Sequence, residues 1–401
     1  MNILLGKRVI FVVHYTSECG GNIISLLDKY AEYLIGEYDC NVYWIFPKHN
    51  PSQWLKDLQK KYIVAFTTDP FGIIPKEQTI KELCCLFEEW QPDIVHSHFE
   101  QYDISVSKAV KILNNNIKVI YHIHDAMSFE VHGKKFPIIR YIRRRIWYML
   151  RYYYWGKKAY FISVSPEMAF FTNYIRKHPL SRPTKFKADK FSALELNNVS
   201  VVINGIVENR LNKSIVTKKK NSVFSFLSFG TTYKSKGIDT LLAASELLHK
   251  SDRKFQVIIT KGNHLDYYLN QRYGNNYPQW LKVIPQTENV ATLFESVDCY
   301  ISASRAETMS MAIAEATFMD LPVIQSNIPG TDWNAKNPST FLFNVENASE
   351  LCEQMQRVMD IDEQELSALC KITEQNNREE LSVDKWIARV SDIYIKVLNG
   401  K

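Results

Sequence analysis

The stretch VDCYISASRAETMSMAIAEATFMDLPVIQS, Val297 to Ser326, fixes the fold class. VDCYISAS reads as a buried strand, and LPVIQS as another. Between them, 304–310 reads as a loop, with a helix starting near Met309. A strand, a helix and a second strand in this order form a crossover unit of a parallel sheet. Two glutamates flank the helix start, Glu307 in the loop and Glu315 in the helix. Seven uncharged residues separate them. Their spacing raises the question of what two carboxylates do beside so apolar a segment.

The same alternation extends in both directions. VFSFLSFG is a strand entering a glycine turn, GIDTLLAASELL a helix and FQVIIT a strand. Earlier in the chain, RVIFVVHY, NVYWIF, DIVHSH, KVIYHIH and YFISVS are strand candidates rich in β-branched and aromatic residues. Helical patterns lie between most of them, including Ile23 to Leu34 with apolar Ile23, Ile24, Leu27 and Ala31. The expected architecture is α/β, with two doubly wound sheets. The pattern pauses at Asn204-Gly205, and the polar, lysine-rich ENRLNKSIVTKKKN follows. The expected division is a first domain over 1–207, a linker over 208–221, a second domain over 222–380 and a terminal helical segment over 381–401.

Composition narrows the function classes. The chain has 401 residues, 46% hydrophobic and 23% charged, with a net charge of +6. That length suits two domains. No uncharged apolar run reaches 18 residues, so no spanning helix is expected. The first apolar run is too short for a signal peptide. Seven cysteines without C-x-x-C spacing suggest reduced thiols and a cytoplasmic protein.

Ligands of open α/β sheets bind beyond the carboxyl ends of the strands, which makes those ends the places to search. After the first strand, Gly20 and Gly21 precede a helix; they let the backbone approach a ligand, or simply form a tight turn. In YHIHDAM, His122 and His124 share one side of a strand, and His124 could donate or move a proton there, or be a structural histidine. His96 and His98 in DIVHSHF raise a metal question. With no cysteine or carboxylate cluster beside them, the expectation is no metal. Lys234 and Lys236 precede the next helix in FGTTYKSKG, as phosphate ligands or as surface lysines. Eight residues of helix rise about 12 Å, the scale of a nucleoside diphosphate sugar. Glu307 and Glu315 could then hold hydroxyls at both ends with the helix start facing the diphosphate, or be ordinary surface glutamates.

Taken together, these segments resemble the retaining glycosyltransferases of the GT-B fold, specifically glycosyltransferase family 4. The resemblance spans most of the chain. SRAETMSMAIAEATFMDLPVI resembles the family's glutamate–seven–glutamate segment, and CGGNIISLLDKYAEYL its glycine loop. QPDIVHSHF, YHIHDAM, FISVSPEMA and VVINGIVENRL follow in family order. The resemblance implies two facing Rossmann-like domains with an interdomain cleft, and a last helix packing back on the N-terminal domain. It implies a nucleotide-sugar donor, UDP- or GDP-linked, with no cofactor and no metal. Glu307 would bind donor-sugar hydroxyls and Glu315 the ribose. Backbone amides at Ser310 and Met311, with Lys236, would hold the diphosphate, approached by Gly20 and Gly21. His124 would contact the sugar near the reacting carbon. Two departures stand out: Thr231 where the family has arginine, and Thr308-Met309-Ser310 where it has Gly-x-Gly. The alternatives are a sugar-nucleotide epimerase on the same fold and a catalytically silent sugar-nucleotide-binding protein.

FPIIRYIRRRIWYMLRYYYWGKK, Phe136 to Lys158, adds a second theme. Between His132 and Pro166 there are nine Lys or Arg and no Asp or Glu. On a helix, Arg140, Arg144 and Arg151 share one sector, and Ile138, Ile142, Ile146, Met149 and Tyr153 another. Such a helix suits an anionic membrane surface, or packs its apolar face on the sheet. No nucleic-acid motif accompanies it. Together with the resemblance, it suggests an enzyme peripheral on the inner face of the cell membrane, acting on a glycan or lipid-linked acceptor in bacterial surface polysaccharide (capsule or exopolysaccharide) or glycolipid synthesis.

Overall fold

A computed structural model describes residues 3–49, 52–72, 74–113, 116–124, 130–131, 134–135, 142, 146, 149–150, 153–155, 159–177, 198–211, 223–230, 233–262, 264–274, 276–287 and 289–400. The chain divides into two units. One holds Met1–Gly205 and Val383–Lys401, the other Ile206–Ser382.

The first unit is built on a seven-stranded sheet. Its strands are β1 (Arg8–Val13), β2 (Asn41–Pro47), β3 (Ile63–Thr67), β4 (Ile94–His98), β5 (Lys118–Ile123), β6 (Tyr160–Ser163) and β7 (Val199–Val201). They lie in the order 3-2-1-4-5-6-7, all parallel. Crossovers carry the helices α1 (Gly21–Tyr38), α2 (Gln53–Lys61), α3 (Glu77–Trp90), α4 (Asp103–Leu113) and α5 (Pro166–Lys177). Val9 to Val13 are fully buried as a continuous run. An unbroken apolar strand of this kind is the signature of a sheet covered on both faces.

The second unit repeats the plan with six strands. These are β8 (Phe224–Phe229), β9 (Phe255–Thr260), β10 (Leu281–Ile284), β11 (Cys299–Ser302), β12 (Val323–Ser326) and β13 (Thr340–Phe343). Their order is 10-9-8-11-12-13, again all parallel. The helices are α6 (Ile238–His249), α7 (Leu265–Tyr273), α8 (Val290–Glu295), α9 (Met311–Phe318), α10 (Ala348–Asp360) and α11 (Glu363–Glu380). In each sheet the strand order reverses at one place, beside β1 and beside β8. Crevices at such switch points are where open α/β sheets take ligands.

A last helix, α12 (Val383–Leu398), belongs to the first unit. It buries Trp386, Ile387, Val390, Ile393 and Tyr394, a stripe at helical spacing. The rings of Trp386 and Tyr394 meet Tyr30 of α1 edge-on, with centroids 5.5 and 5.4 Å away. The opening of the expected linker has a different place. Glu208–Leu211 is a 3-10 turn of the second unit, and Ile206 bridges to Ser382. Residues 212–222 lie outside the described residues.

Candidate functional site

At the switch point of the second unit, the loops after β8 and β11 press together. Gly237 precedes α6 with φ of +63°, and a Cβ there would lie 1.9 Å from the carbonyl oxygen of Ala303. Both the backbone conformation and the close approach demand glycine. Arg305, largely buried, ties the same loops from beneath. Its backbone N–H donates to Ser235 O at 2.8 Å, and its Nη1 to Lys234 O. The guanidinium grips both oxygens of Asp239 at 2.7 and 2.6 Å, while Nε donates to Glu346 at 2.6 Å. A buried guanidinium is tolerable only when paired this fully.

On this base sit Lys236 and Glu307. Lys236 Nζ donates to Glu307 Oε1 at 2.6 Å, and Ser304 Oγ donates to the same oxygen at 2.7 Å. From the Pro329–Thr331 turn, Gly330 lies against the Glu307 backbone. A Cβ on Gly330 would fall 1.9 Å from the Glu307 carbonyl oxygen.

Three residues on, Ser310 is the N-cap of α9. It is buried and extended (φ −78°, ψ 100°), and its hydroxyl does not cap the helix. Met311 opens the helix, whose first turn holds no acidic side chain. The positive end of the helix dipole is therefore not offset by a carboxylate within that turn.

Glu315 lies one turn further in and is buried. Arg210 Nη1, from the Glu208–Leu211 turn, donates to Glu315 Oε1 at 2.9 Å. Burial raises the Glu315 carboxyl above its ordinary pKa, and the Arg210 charge and hydrogen bond oppose that rise. Tyr300 of β11 is buried beneath both glutamates. Its phenol is pushed well up, first by burial and then by the charges of Glu307 and Glu315.

The structure thus brings together Lys236, Glu307, Ser310, Met311 and Glu315 in the second unit. Gly20, Gly21 and His124 belong to the first. Gly20 is the N-cap of α1, where a Cβ would sit 3.0 Å from the Trp54 side chain. Gly21 has φ of +59°. The positive φ favours glycine at Gly21, and at Gly20 a side chain would press on Trp54. His124 follows β5, and its Nε2 lies 3.1 Å from His98 Nδ1 at the end of β4. Burial holds the His124 imidazole down to about 3, so it is neutral near pH 7. Arg140, Arg144, Arg151 and Thr231 lie outside the described residues.

Three contributors escaped the sequence reading: Arg210, Arg305 and Gly330. Arg305 was visible inside the quoted stretch as a charge beside an apolar strand. Arg210 lay in a segment that read as linker. Among the described residues, one group could hold a metal ion. His96, His98 and His122 are all buried and each offers a ring nitrogen within 4.8 Å of the others.

Residues 223–360 match the family described as Glycosyl transferases group 1. No curated protein matches the chain. Among solved structures, a glycosyltransferase from Rickettsia africae ESF-5 superposes with a TM-score of 0.70 at 16% identity, covering 99% of this chain and 100% of that one. HepE from Anabaena, in complex with UDP-glucose, gives 0.73 at 14% identity, over 96% and 98%. Sucrose-phosphate synthase from Thermosynechococcus elongatus gives 0.72 at 12% identity, over 98% and 100%. At such low identities the likeness establishes the fold, the two parallel-sheet α/β domains of GT-B glycosyltransferases. No helix among the described residues is long and apolar enough to cross a membrane.

Proposed function

We propose that the chain is a retaining glycosyltransferase of family 4. On this reading it moves a sugar from a UDP- or GDP-sugar to a glycan or lipid-linked acceptor, with no metal in the transfer step. The observation that carries the reading is the Lys236–Glu307 pair at the switch point of a sheet whose sequence matches group 1 glycosyl transferases. The relative crystallised with UDP-glucose supports a nucleotide-sugar donor.

The chemistry follows from where charge develops. As the anomeric carbon gains positive character, the departing phosphate gains negative charge. Lys236 and the backbone amides at the N-terminus of α9, around Ser310 and Met311, stabilise that phosphate. Glu307 accepts hydrogen bonds from sugar hydroxyls. Glu315, held by Arg210, accepts those of the ribose. His124, kept neutral, donates or accepts a hydrogen bond near the reacting carbon, and Gly20 and Gly21 allow the first unit's backbone to approach the donor. The leaving phosphate itself can take the acceptor's proton.

The acceptor side rests on the basic, aromatic stretch. Ile142, Ile146 and Met149 are helical, and with Tyr153 they are exposed, between 41% and 71%. Exposed apolar residues at i, i+4, i+7 and i+11, within a run of arginines, fit the boundary of an anionic membrane. Surface polysaccharide or glycolipid synthesis at that membrane is the proposed role.

The test is a thermal-shift panel of UDP, GDP, ADP and their sugar conjugates, followed by acceptor-dependent release of free nucleotide. Stabilisation by one nucleotide series with acceptor-dependent release supports transfer. Release of an isomerised donor without acceptor supports an epimerase, and binding without turnover a silent protein. For the membrane, flotation with vesicles containing anionic lipid decides. No binding at low salt removes that part of the proposal.

A further inference from the structure

A different feature lies inside the first unit. In the parallel register of β4 and β5, His98 sits directly opposite His122. His96, two residues earlier on β4, projects to the same face as His98. The backbone therefore gathers three imidazoles at one spot, all essentially inaccessible. The ring centroids of His96 and His98 are 4.0 Å apart, and those of His98 and His122 5.1 Å.

This cluster is poorly satisfied as it stands. His96 Nε2, His98 Nε2 and both nitrogens of His122 are buried without a hydrogen-bond partner. Buried polar atoms in folded proteins nearly always have partners, and four orphans in one cluster call for a cause. The partners that do exist are arranged in a telling way. Tyr394 Oη, from α12, lies 2.8 Å from His96 Nδ1. His124 Nε2 lies 3.1 Å from His98 Nδ1. If each Nδ1 donates, the lone pairs of His96 and His98 are left on Nε2, the atoms that lack partners. One nitrogen hydrogen-bonded outward and the other left free is the usual state of a metal-ligating histidine.

We propose that His96, His98 and His122 bind one divalent transition-metal ion of the zinc type, which fastens α12 to the sheet of the first unit. Imidazole nitrogens suit zinc, copper and nickel, and lack of charged oxygen ligands disfavours magnesium and calcium. Zinc–nitrogen bonds of about 2.0–2.1 Å bring ligand atoms closer together than the 4.8 Å limit seen here, so the rings close in on loading. All three imidazoles are buried, so the site is shielded from water. Through Tyr394 on His96, and Trp386 stacked 6.3 Å from His122, the ion bears on the helix that completes this unit. The site is closed, so the ion enters as the unit folds. The site is argued from the histidine geometry alone and does not depend on the sugar-transfer reading, although its ligand His98 also contacts His124.

The experiment uses the full chain, purified without a metal-affinity column. Metal content is measured by mass spectrometry, before and after refolding from denaturant in chelator or in zinc. Refolding in cobalt adds a spectroscopic readout, the visible bands of an imidazole-ligated ion. The expected result is one equivalent of metal per chain and a melting temperature about 5–10 °C higher with zinc a hundredfold above its Kd. In His122→Phe both the equivalent and the shift should vanish. Should His122→Phe not fold, His96→Gln takes its place, and loss of the wild-type cobalt bands in that variant is the expected result. Wild type that refolds fully without metal, shows no cobalt bands and gains nothing from zinc overturns the proposal. So does equal zinc binding by wild type and His122→Phe, which would put the ion elsewhere.

Discussion

Lys236 and Glu307 are 71 positions apart in sequence and meet in a 2.6 Å hydrogen bond, the lysine donating. Without a ligand, the lysine charge is spent on the glutamate. On the proposed reading, a diphosphate must compete for the lysine and a sugar hydroxyl for the carboxylate. Glu307→Gln should therefore leave binding of the bare nucleoside diphosphate equal or tighter. Its transfer rate should fall about 10- to 100-fold, the worth of a hydrogen bond to a charged group. Lys236→Met should lower kcat about 100- to 1000-fold, as loss of one preorganised donor does elsewhere. Nucleotide binding by calorimetry and single-turnover transfer separate the two. Full transfer in Glu307→Gln would remove its assigned role.

Arg210 offers a test of charge burial. Replacing it by methionine leaves Glu315 as a buried, unpaired carboxylate and should cost about 3–5 kcal/mol of unfolding free energy. The variant's denaturant midpoint measures this. The double variant with Glu315→Gln should recover much of the loss.

The same glutamate has a pH signature. Its carboxyl is raised in the folded chain by burial. Between the unfolded and folded values, the native state binds more protons than the unfolded one. Stability attributable to this group therefore falls as pH rises through that window. Glu315→Gln removes the dependence. Its melting temperature relative to wild type should be higher at pH 7 than at pH 4, and a flat difference would show that Arg210 already compensates in full.

Gly330→Ala tests the support of the Glu307 loop. The new methyl group would meet the Glu307 carbonyl at 1.9 Å, so either turn or loop must shift. The expectation is a weakened donor KM with modest loss of melting temperature. An unchanged KM would show that the Pro329–Thr331 turn yields instead.

Arg305→Lys keeps the charge but not the fork. One ammonium cannot serve Asp239, Glu346 and the Lys234 carbonyl in the geometry seen here. Both stability and nucleotide affinity should drop. Loss of stability with unchanged affinity would mean that Lys236 is positioned without it.

How far the chain could be read from its letters depended on where each partner sits. The central strand RVIFVV stood out because both faces are buried and the apolar run is continuous, and DIVHSH because of its β-branched start. The edge strands Ile63–Thr67, Val199–Val201, Leu281–Ile284 and Thr340–Phe343 did not, being short and only partly covered. Glu307 and Glu315 were legible as a pair because one loop and the helix that follows it carry both, eight positions apart. Their cationic partners come from other loops: Lys236 was singled out by its helix start, whereas Arg210 hid in a polar stretch 105 positions from Glu315. The histidine cluster needed the register of two strands. His96 and His98 could be seen side by side, but only the pairing of β4 with β5 delivers His122 to them.

The return of Val383–Leu398 to the first unit has a consequence for how the protein is made. During synthesis, Met1–Gly205 emerges from the ribosome long before the helix that covers Tyr30 and His96. The second unit is contiguous in sequence and can finish folding as soon as it is clear of the exit tunnel. The first cannot, because the Trp386 and Tyr394 side chains that seal it are still to be translated. Completion of the two units thus runs against their order in the chain. A nascent chain waiting in that state, with Tyr30 and the histidines under the last helix uncovered, is the form most in need of a chaperone.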